Sequence, residues 1–117
     1  YPNVKLSTPQ ALRLPLRWIA IMHGRVGASL AASSAIHHAD DVIKMLLVGA
    51  DVAMMCSAIL KRGPKIITEV LSGVRDWMAE NEYVSVEQLK GSMSLRSTSD
   101  PSAFERANYM RALNTYH

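Results

Sequence analysis

The chain has one cysteine, Cys56, and no second thiol to pair with it. An internal disulfide framework and any cysteine-based metal cluster are thereby excluded, and a reducing, cytoplasmic home is the expectation. Histidine is scarce too. His37 and His38 are neighbours, whose side chains diverge on most backbones, while His23 and His117 lie far off in sequence. That spacing argues against a metal site. No charge of one sign dominates: the net charge is +3, and the basic residues are scattered among acidic ones. Without a Lys/Arg stripe there is no footprint for nucleic acid or an anionic membrane surface. Long apolar runs are missing as well. The most apolar window, residues 45–60, is interrupted by Gly49 and Asp51 and falls short of the roughly 20 residues needed to cross a bilayer. The opening Tyr1-Pro2-Asn3-Val4-Lys5 carries neither a signal-peptide pattern nor an initiating methionine, so it reads as the interior of a longer protein.

What is present is the material of a packed domain. An apolar fraction of 49% with 20% charged residues is the composition of a chain that buries a core rather than that of a disordered tail. Most of the seven methionines fall at core-facing positions, where a flexible thioether fills gaps.

Punctuation along the chain predicts its elements. Pro15 at a first helical position, apolar residues through Met22 and a stop at Gly24 predict a helix over 15–23. The short apolar run 28–32 predicts a buried strand, although alanine is a poor strand former. Asp40 and Asp41 sit where carboxylates favour the positive end of a helix dipole, and Gly49 closes that helix. Residues 50–55, apolar apart from Asp51, predict a second strand suited to a parallel sheet. Asp51 itself reads as a layer residue or an ion-pair partner. Strand, helix and strand within about 30 residues make a βαβ unit. Gly63-Pro64 opens a long amphipathic helix reaching about Asn81, with Ile66, Ile67, Val70, Leu71, Val74, Trp77 and Met78 on one face. Ser85 and Gln88 form a capping box for a short helix closed by Gly91. A loop over 93–99 follows, and Asp100-Pro101 begins a last helix carrying Phe104, Ala107, Met110 and Leu113.

Two parallel strands cannot by themselves satisfy their outer edges or cover both faces. The expectation is that Leu30, Ala32, Val52 and Met54 share an inward face needing a partner, either further copies of this chain or a complementary N-terminal portion of barrel.

Particular residues carry a family resemblance. The stretch Gly49-Ala50-Asp51-Val52-Ala53-Met54-Met55-Cys56-Ser57-Ala58-Ile59-Leu60 with Gly63-Pro64 resembles the last barrel strand and following turn of dihydroorotate dehydrogenases. Residues 82–91, Glu-Tyr-Val-Ser-Val-Glu-Gln-Leu-Lys-Gly, are similar to that family's closing Gly-Tyr-x-Ser-Leu-Glu-Asp-Phe-Arg-Gly. Leu6-Ser7-Thr8-Pro9 resembles the loop after the sixth strand, and residues 30–36 stand in the place of the seventh strand with its Gly-Gly-Ile turn. Residues 14–20 and 104–110 fit best the less characterised dihydroorotate dehydrogenase-like branch.

The resemblance implies an α/β fold: the C-terminal segment of a TIM (β/α)8 barrel, with a βαβ unit corresponding to strands 7 and 8, helix-rich and incomplete. It implies one partial domain, residues 1–62 forming the barrel segment and 63–117 the C-terminal helices. It also implies an FMN-dependent oxidoreductase of pyrimidine chemistry in which this chain contributes the flavin phosphate end, with Ser7, Ser33, Ser34, Ala35, Cys56 and Ser57 as cofactor-binding residues. In such barrels the loops after strands 7 and 8 bring free N–H groups together around a phosphate. The family's base and flavin-contacting lysine fall on earlier elements, so no catalytic residue is assigned here. Where the family has glycines, Ser34, Ala35 and Cys56 each add a Cβ, offset by the hydroxyls of Ser33, Ser34 and Ser57. Cys56 is otherwise expected to be a small half-buried residue rather than a nucleophile, and His37 and His38 to serve surface or capping roles. The rival expectation is a non-enzymatic, truncated chain that has lost flavin binding and self-associates.

Overall fold

A computed structural model describes residues 5–95. A 3-10 turn, Pro9–Leu12, leads into α1, Arg13–Met22. Then follow β1 (Ala31–Ala32), α2 (Ala39–Val48), β2 (Val52–Ala53), α3 (Ser57–Arg62), α4 (Lys65–Glu80) and α5 (Val86–Leu89). The predicted last helix from Pro101 lies outside the described residues.

α2, α4 and α5 begin and end where their punctuation places them, whereas α1 begins at Arg13, two residues before Pro15, and runs on from the 3-10 turn. α2 starts after His38, carries Asp40 and Asp41 in its first turn and ends on Gly49 at φ 117°. Its C-terminus is a Schellman motif: Gly49 N–H donates to Leu46 O at 3.0 Å and Ala50 N–H to Met45 O at 2.9 Å, while Ala50 and Met45 are both fully buried. Gly91 N–H and Met93 N–H then donate to the carbonyls of Leu46 and Leu47, so the segment after α5 finishes the cap. At α5 the Ser85 hydroxyl accepts from Gln88 N–H at 3.3 Å, and the Gln88 side chain returns to Val84 N–H rather than to Ser85. α3 was not foreseen as a helix.

α2 is the hub. Met45 and Val48 belong to one core with Leu12, Ile19, Ala20, Ala32, Ala35, Ile36 and Ala50. Ile43 joins a second with Ala58, Ile66, Val70 and Val74 from α3 and α4. Helices α2 and α4 approach so closely that a Cβ added at Gly73 would stand 2.6 Å from Ala39 Cβ. Methionine is a core filler only in part: Met45 is fully buried, whereas Met54 and Met93 are more than half exposed.

The sheet corrects the expectation of a barrel segment. It has two strands of two residues each, β1 parallel to β2, with Ala31 beside Val52 and Ala32 beside Ala53. The described chain is helix-rich, built from helices around α2, with no segment of a TIM (β/α)8 barrel. Alanine gives β1 little strand preference, and neither strand reaches the five or six residues usual for a sheet strand. The register also corrects the assignment of faces. Ala32 and Leu30 pack into the helical core, while Val52 and Met54, each 52% exposed, lie outside it. Alternation along a strand sends successive side chains to opposite faces, so Leu30 and Val52 cannot share one.

Asp51 ties the end of α5 to the sheet. Its carboxylate accepts from Leu30 N–H at 2.8 Å and from Lys90 Nζ at 2.8 Å. The Lys90 ammonium, then the Leu30 N–H, hold the Asp51 carboxyl below its ordinary 3.8. In turn Asp51, then Glu87, hold Lys90 above 10.5. The depressed acid stabilises the fold above pH 3.8 and loses that contribution as pH falls through its lowered value. The raised lysine contributes below pH 10.5 and loses it as pH climbs past its raised value. The difference in melting temperature between the native chain and Asp51→Asn is therefore expected to be largest near neutrality and to shrink at both extremes. Thermal melts across pH check this, and a difference unchanged in strong acid would contradict it.

Candidate functional site

Because β1 and β2 are parallel, their C-terminal ends lie side by side, and the loops leaving them meet. The first loop runs through Ser33, Ser34, Ala35 and Ile36, and the second through Met54, Met55 and Cys56 into α3. The segment before the 3-10 turn lies against both. Together they line a cleft of about 280 Å³ formed by Lys5, Ser7, Ser33, Ser34, Ala35, Ile36, Met54, Met55, Cys56 and Ser57. All six residues singled out by the sequence face this one space. Lys5, Ile36, Met54 and Met55 were not singled out; Lys5, two residues before Ser7, was the one with a readable signal, a cation beside a serine-rich site.

The first loop has the backbone of a glycine turn made without glycine. Ser34 and Ala35 have φ of 81° and 63°. Left-handed backbone costs an ordinary residue about 1–2 kcal/mol. Ala35 and Ile36 are 0% and 3% exposed within the first core, and this burial holds the turn in place. Among the described residues no acceptor takes the N–H groups of Ser34, Ala35 and Ile36. Consecutive N–H groups in such a turn form a concave anion cradle. A buried donor left unmet costs about 1–3 kcal/mol, so the loop is suited to a ligand carrying several acceptor oxygens. Lys5 is the only charged residue of the lining, and no carboxylate opposes it.

Ser7 anchors the second side. Its N–H and its hydroxyl each lie 3.1 Å from Ser57 Oγ. Its carbonyl accepts from Lys61 Nζ at 3.2 Å and stands 3.1 Å from His37 Nε2, which is 3.4 Å from Ser7 Oγ. A carbonyl oxygen only accepts, so the tautomer that satisfies the shorter contact carries the hydrogen on Nε2 and leaves no lone pair there for the Ser7 hydroxyl. The expected surface role of His37 is corrected: it is 5% exposed. Its N–H and that of His38 donate to Asp41 Oδ2 at 3.0 Å each, and its carbonyl accepts from Arg62 Nη2. His38, the N-cap of α2, is exposed.

Cys56 is exposed at the N-cap of α3, not half-buried as expected, and its side chain makes no capping bond. Among the described residues no three His, Cys, Asp or Glu side chains gather as metal ligands, and no helix is long and apolar enough to cross a membrane.

No protein-family model matches this chain, and a search of curated proteins found no similar sequence.

Proposed function

We propose that the cleft binds the phosphate end of flavin mononucleotide, and that the chain contributes this end alone to an oxidoreductase similar to the dihydroorotate dehydrogenases. The observation that carries the reading is the lining: four serines, free N–H groups on a left-handed turn and Lys5, with no carboxylate among them. A phosphate offers oxygens to that donor set and a charge matched to Lys5. When bound, the flavin ring supplies hydride acceptance from a dihydropyrimidine-type substrate. This chain's residues do something simpler: they bind and orient the phosphate. A volume of about 280 Å³ lies under the roughly 300–1,000 Å³ of complete small-molecule sites, so the ring needs a surface supplied from elsewhere.

Such a partial site binds weakly. Stabilisation follows RT ln(1 + [L]/Kd), and a large Kd gives a small rise. Micromolar FMN is expected to leave the melting temperature almost unchanged, while millimolar FMN shifts the amide resonances of residues 33–36 and 57 and riboflavin, lacking phosphate, does not. Identical responses to FMN and riboflavin would refute phosphate recognition. A rise of several degrees at micromolar FMN would refute the partial site.

A second reading is favoured by Val52 and Met54, half-exposed on β2 and just beyond it. It is a non-enzymatic chain that covers this face with a second copy. An obligate interface of that kind buries roughly 2,000 Å² or more. Sedimentation equilibrium at low micromolar concentration decides: a dimer supports it, and a sharply melting monomer overturns it.

A further inference from the structure

α1 carries charge that opposes its own stability. Arg13 opens the helix, where a cation meets the positive end of the helix dipole, and Arg17 stands one turn on, where two like charges repel. The two signs mix over the whole chain, but residues 1–39 hold Lys5, Arg13, Arg17 and Arg25 and not one Asp or Glu. Among the described residues neither Arg13 nor Arg17 has a hydrogen bond or an ion pair, and Arg17 Nε is buried with no acceptor. What Arg17 does have is Trp18: its guanidinium carbon is 5.8 Å from the centroid of that ring, a cation–π pair.

An apolar row runs beside the arginines. Leu14 and Trp18, also one turn apart, are 57% and 49% exposed, and Ile21 and Met22 continue the row half-buried. At about 100° per residue, Arg13 and Arg17 edge this row on one side. Beyond them an open groove of about 530 Å³ separates α1 from α2, lined by Arg13 and Leu16 of the first helix and by Asp41 and Lys44 of the second. Asp41 is committed to the N–H groups of His37 and His38, whereas Lys44 is exposed and has no partner among the described residues. The apolar row thus has a cationic border, and none of these residues lines the cleft that holds Ser7 and Ser57.

We propose that this face of α1 docks an acidic amphipathic helix of a partner protein, whose apolar stripe covers Leu14 and Trp18 and whose carboxylates, one turn apart, meet Arg13 and Arg17. Charge complementarity carries the choice of occupant. A guanidinium takes a carboxylate through two parallel hydrogen bonds, and tryptophan and arginine are the side chains that most often dominate an interface. Other coverings match less well. The helix expected from Pro101 sets Glu105 against Arg106 and Arg111, so it brings no excess of acid. The α4 of a second copy offers exposed Ile67 and Leu71, but Arg75 follows them at the same four-residue spacing and would meet the arginines with like charge. Two well-exposed apolar side chains on a ten-residue helix are a small apolar face for a lipid surface, where binding scales with the apolar area buried. A helix of this length rises about 15 Å, so the contact belongs with the small, transient interfaces.

The test titrates the full chain with two synthetic helices of about 18 residues, long enough to hold their fold, that share one leucine stripe bordered by glutamate in the first and by lysine in the second. Amide resonances and the Trp18 indole, told from that of Trp77 by Trp18→Ala, report the contact. The glutamate helix is expected to shift residues 13–22 saturably, and the lysine helix to bind at least about tenfold more weakly. Raising salt from about 0.05 to about 0.5 M should weaken the glutamate helix, because the charges meet at the surface. Trp18→Ala should cost about tenfold or more. Arg13→Gln combined with Arg17→Gln should cost about tenfold and remove most of the salt dependence, while Arg75→Gln on α4 changes nothing. Thermal melts show which variants fold, and if Trp18→Ala or the double variant does not, Arg13→Gln alone, at an exposed position, still decides with a loss of about threefold. Equal binding of the two helices, shifts centred away from α1, or no effect of the arginine changes would each overturn the proposal. So would resonances of Leu14 and Trp18 that move with protein concentration alone, which would make the occupant a second copy. Vesicles of anionic lipid that shift these residues where the glutamate helix does not would make it a lipid surface, with the same consequence.

Discussion

Replacing Gly49 with alanine is expected to lower the melting temperature by roughly 8 °C or more, on about 4–8 °C per kcal/mol for a domain of this size. Two separate effects combine. At φ 117° and ψ 12° the backbone lies beyond the left-handed well near φ 57° that ordinary residues sometimes occupy, so the strain is at least the usual 1–2 kcal/mol. The new Cβ would also be driven into the His23 ring, whose atoms lie closer than any real Cβ contact. Overpacking of that kind adds about 1–3 kcal/mol. The ring has no easy retreat, because on its other side a Cβ at Gly91 would meet it as well. His23 is thus held between two glycines, one ending α2 and one closing the segment that caps it. Thermal melts of Gly49→Ala alone and together with His23→Ala separate the effects: the second change should recover the packing share and leave the backbone share. Gly27→Ala, where nothing lies within 4 Å, is the control and should be nearly silent. A loss below about 3 °C for Gly49→Ala would mean that the cap is not what holds α2 in place.

That cap was readable in the sequence, and the reason separates what could be read from what could not. Helix limits depend on local chemistry: Asp40 and Asp41 before an apolar run and Gly49 after it, Gly63-Pro64 before α4, Ser85 with Gln88 at α5. Each signal lies within four residues of what it determines. α3 carried signals too, Lys61 and Arg62 in its last turn and Gly63 beyond, but six residues between two stronger elements were assigned to neither. The strands failed for the opposite reason. An alanine-rich run says only that a segment is buried, and whether it pairs for two residues or six depends on neighbours that periodicity does not name. The barrel expectation came from the family resemblance of residues 30–36 and 49–64, which says nothing of how far these strands pair.

The candidate site divides in the same way. The resemblance grouped Ser33, Ser34, Ala35, Cys56 and Ser57, and the parallel pairing of β1 and β2 brings the two loops that carry them together. The link from Ser7 to Ser57 spans 50 residues and that from Ser7 to His37 spans 30, and no spacing rule joins them. His37 was misjudged because a histidine beside a helix start has two plausible fates, solvent or burial, and the choice is made by Arg62 and Ser7, both distant in sequence.

Asp41 is where the fold and the cleft depend on one side chain, and its removal is the second large effect expected. It is 7% exposed, and a single oxygen accepts the N–H groups of both His37 and His38 at 3.0 Å. Hydrogen bonds to a charged group are worth about 1.5–3 kcal/mol each, and a donor left buried without a partner keeps its desolvation cost. Asp41→Ala is therefore expected to destabilise the chain by about 3 kcal/mol or more. Asp41→Asn retains an amide oxygen for the same two donors but not its charge, and charge-assisted bonds are roughly twice as strong as neutral ones, so about half of the loss should remain. The damage should not stop at α2. His37 meets Asp41 through its N–H, Arg62 through its carbonyl and Ser7 through its ring, so freeing its N–H loosens the residue that orients Ser7. Denaturant unfolding gives the stability change. Amide resonances of Asp41→Asn, which stays folded, give the reach: Ser7 and Ser57 should shift along with His37 and His38, while Ser85 and Gln88 at the start of α5 should not. A stable Asp41→Ala chain, or perturbation confined to residues 37–41, would show that the cleft is held together without this carboxylate.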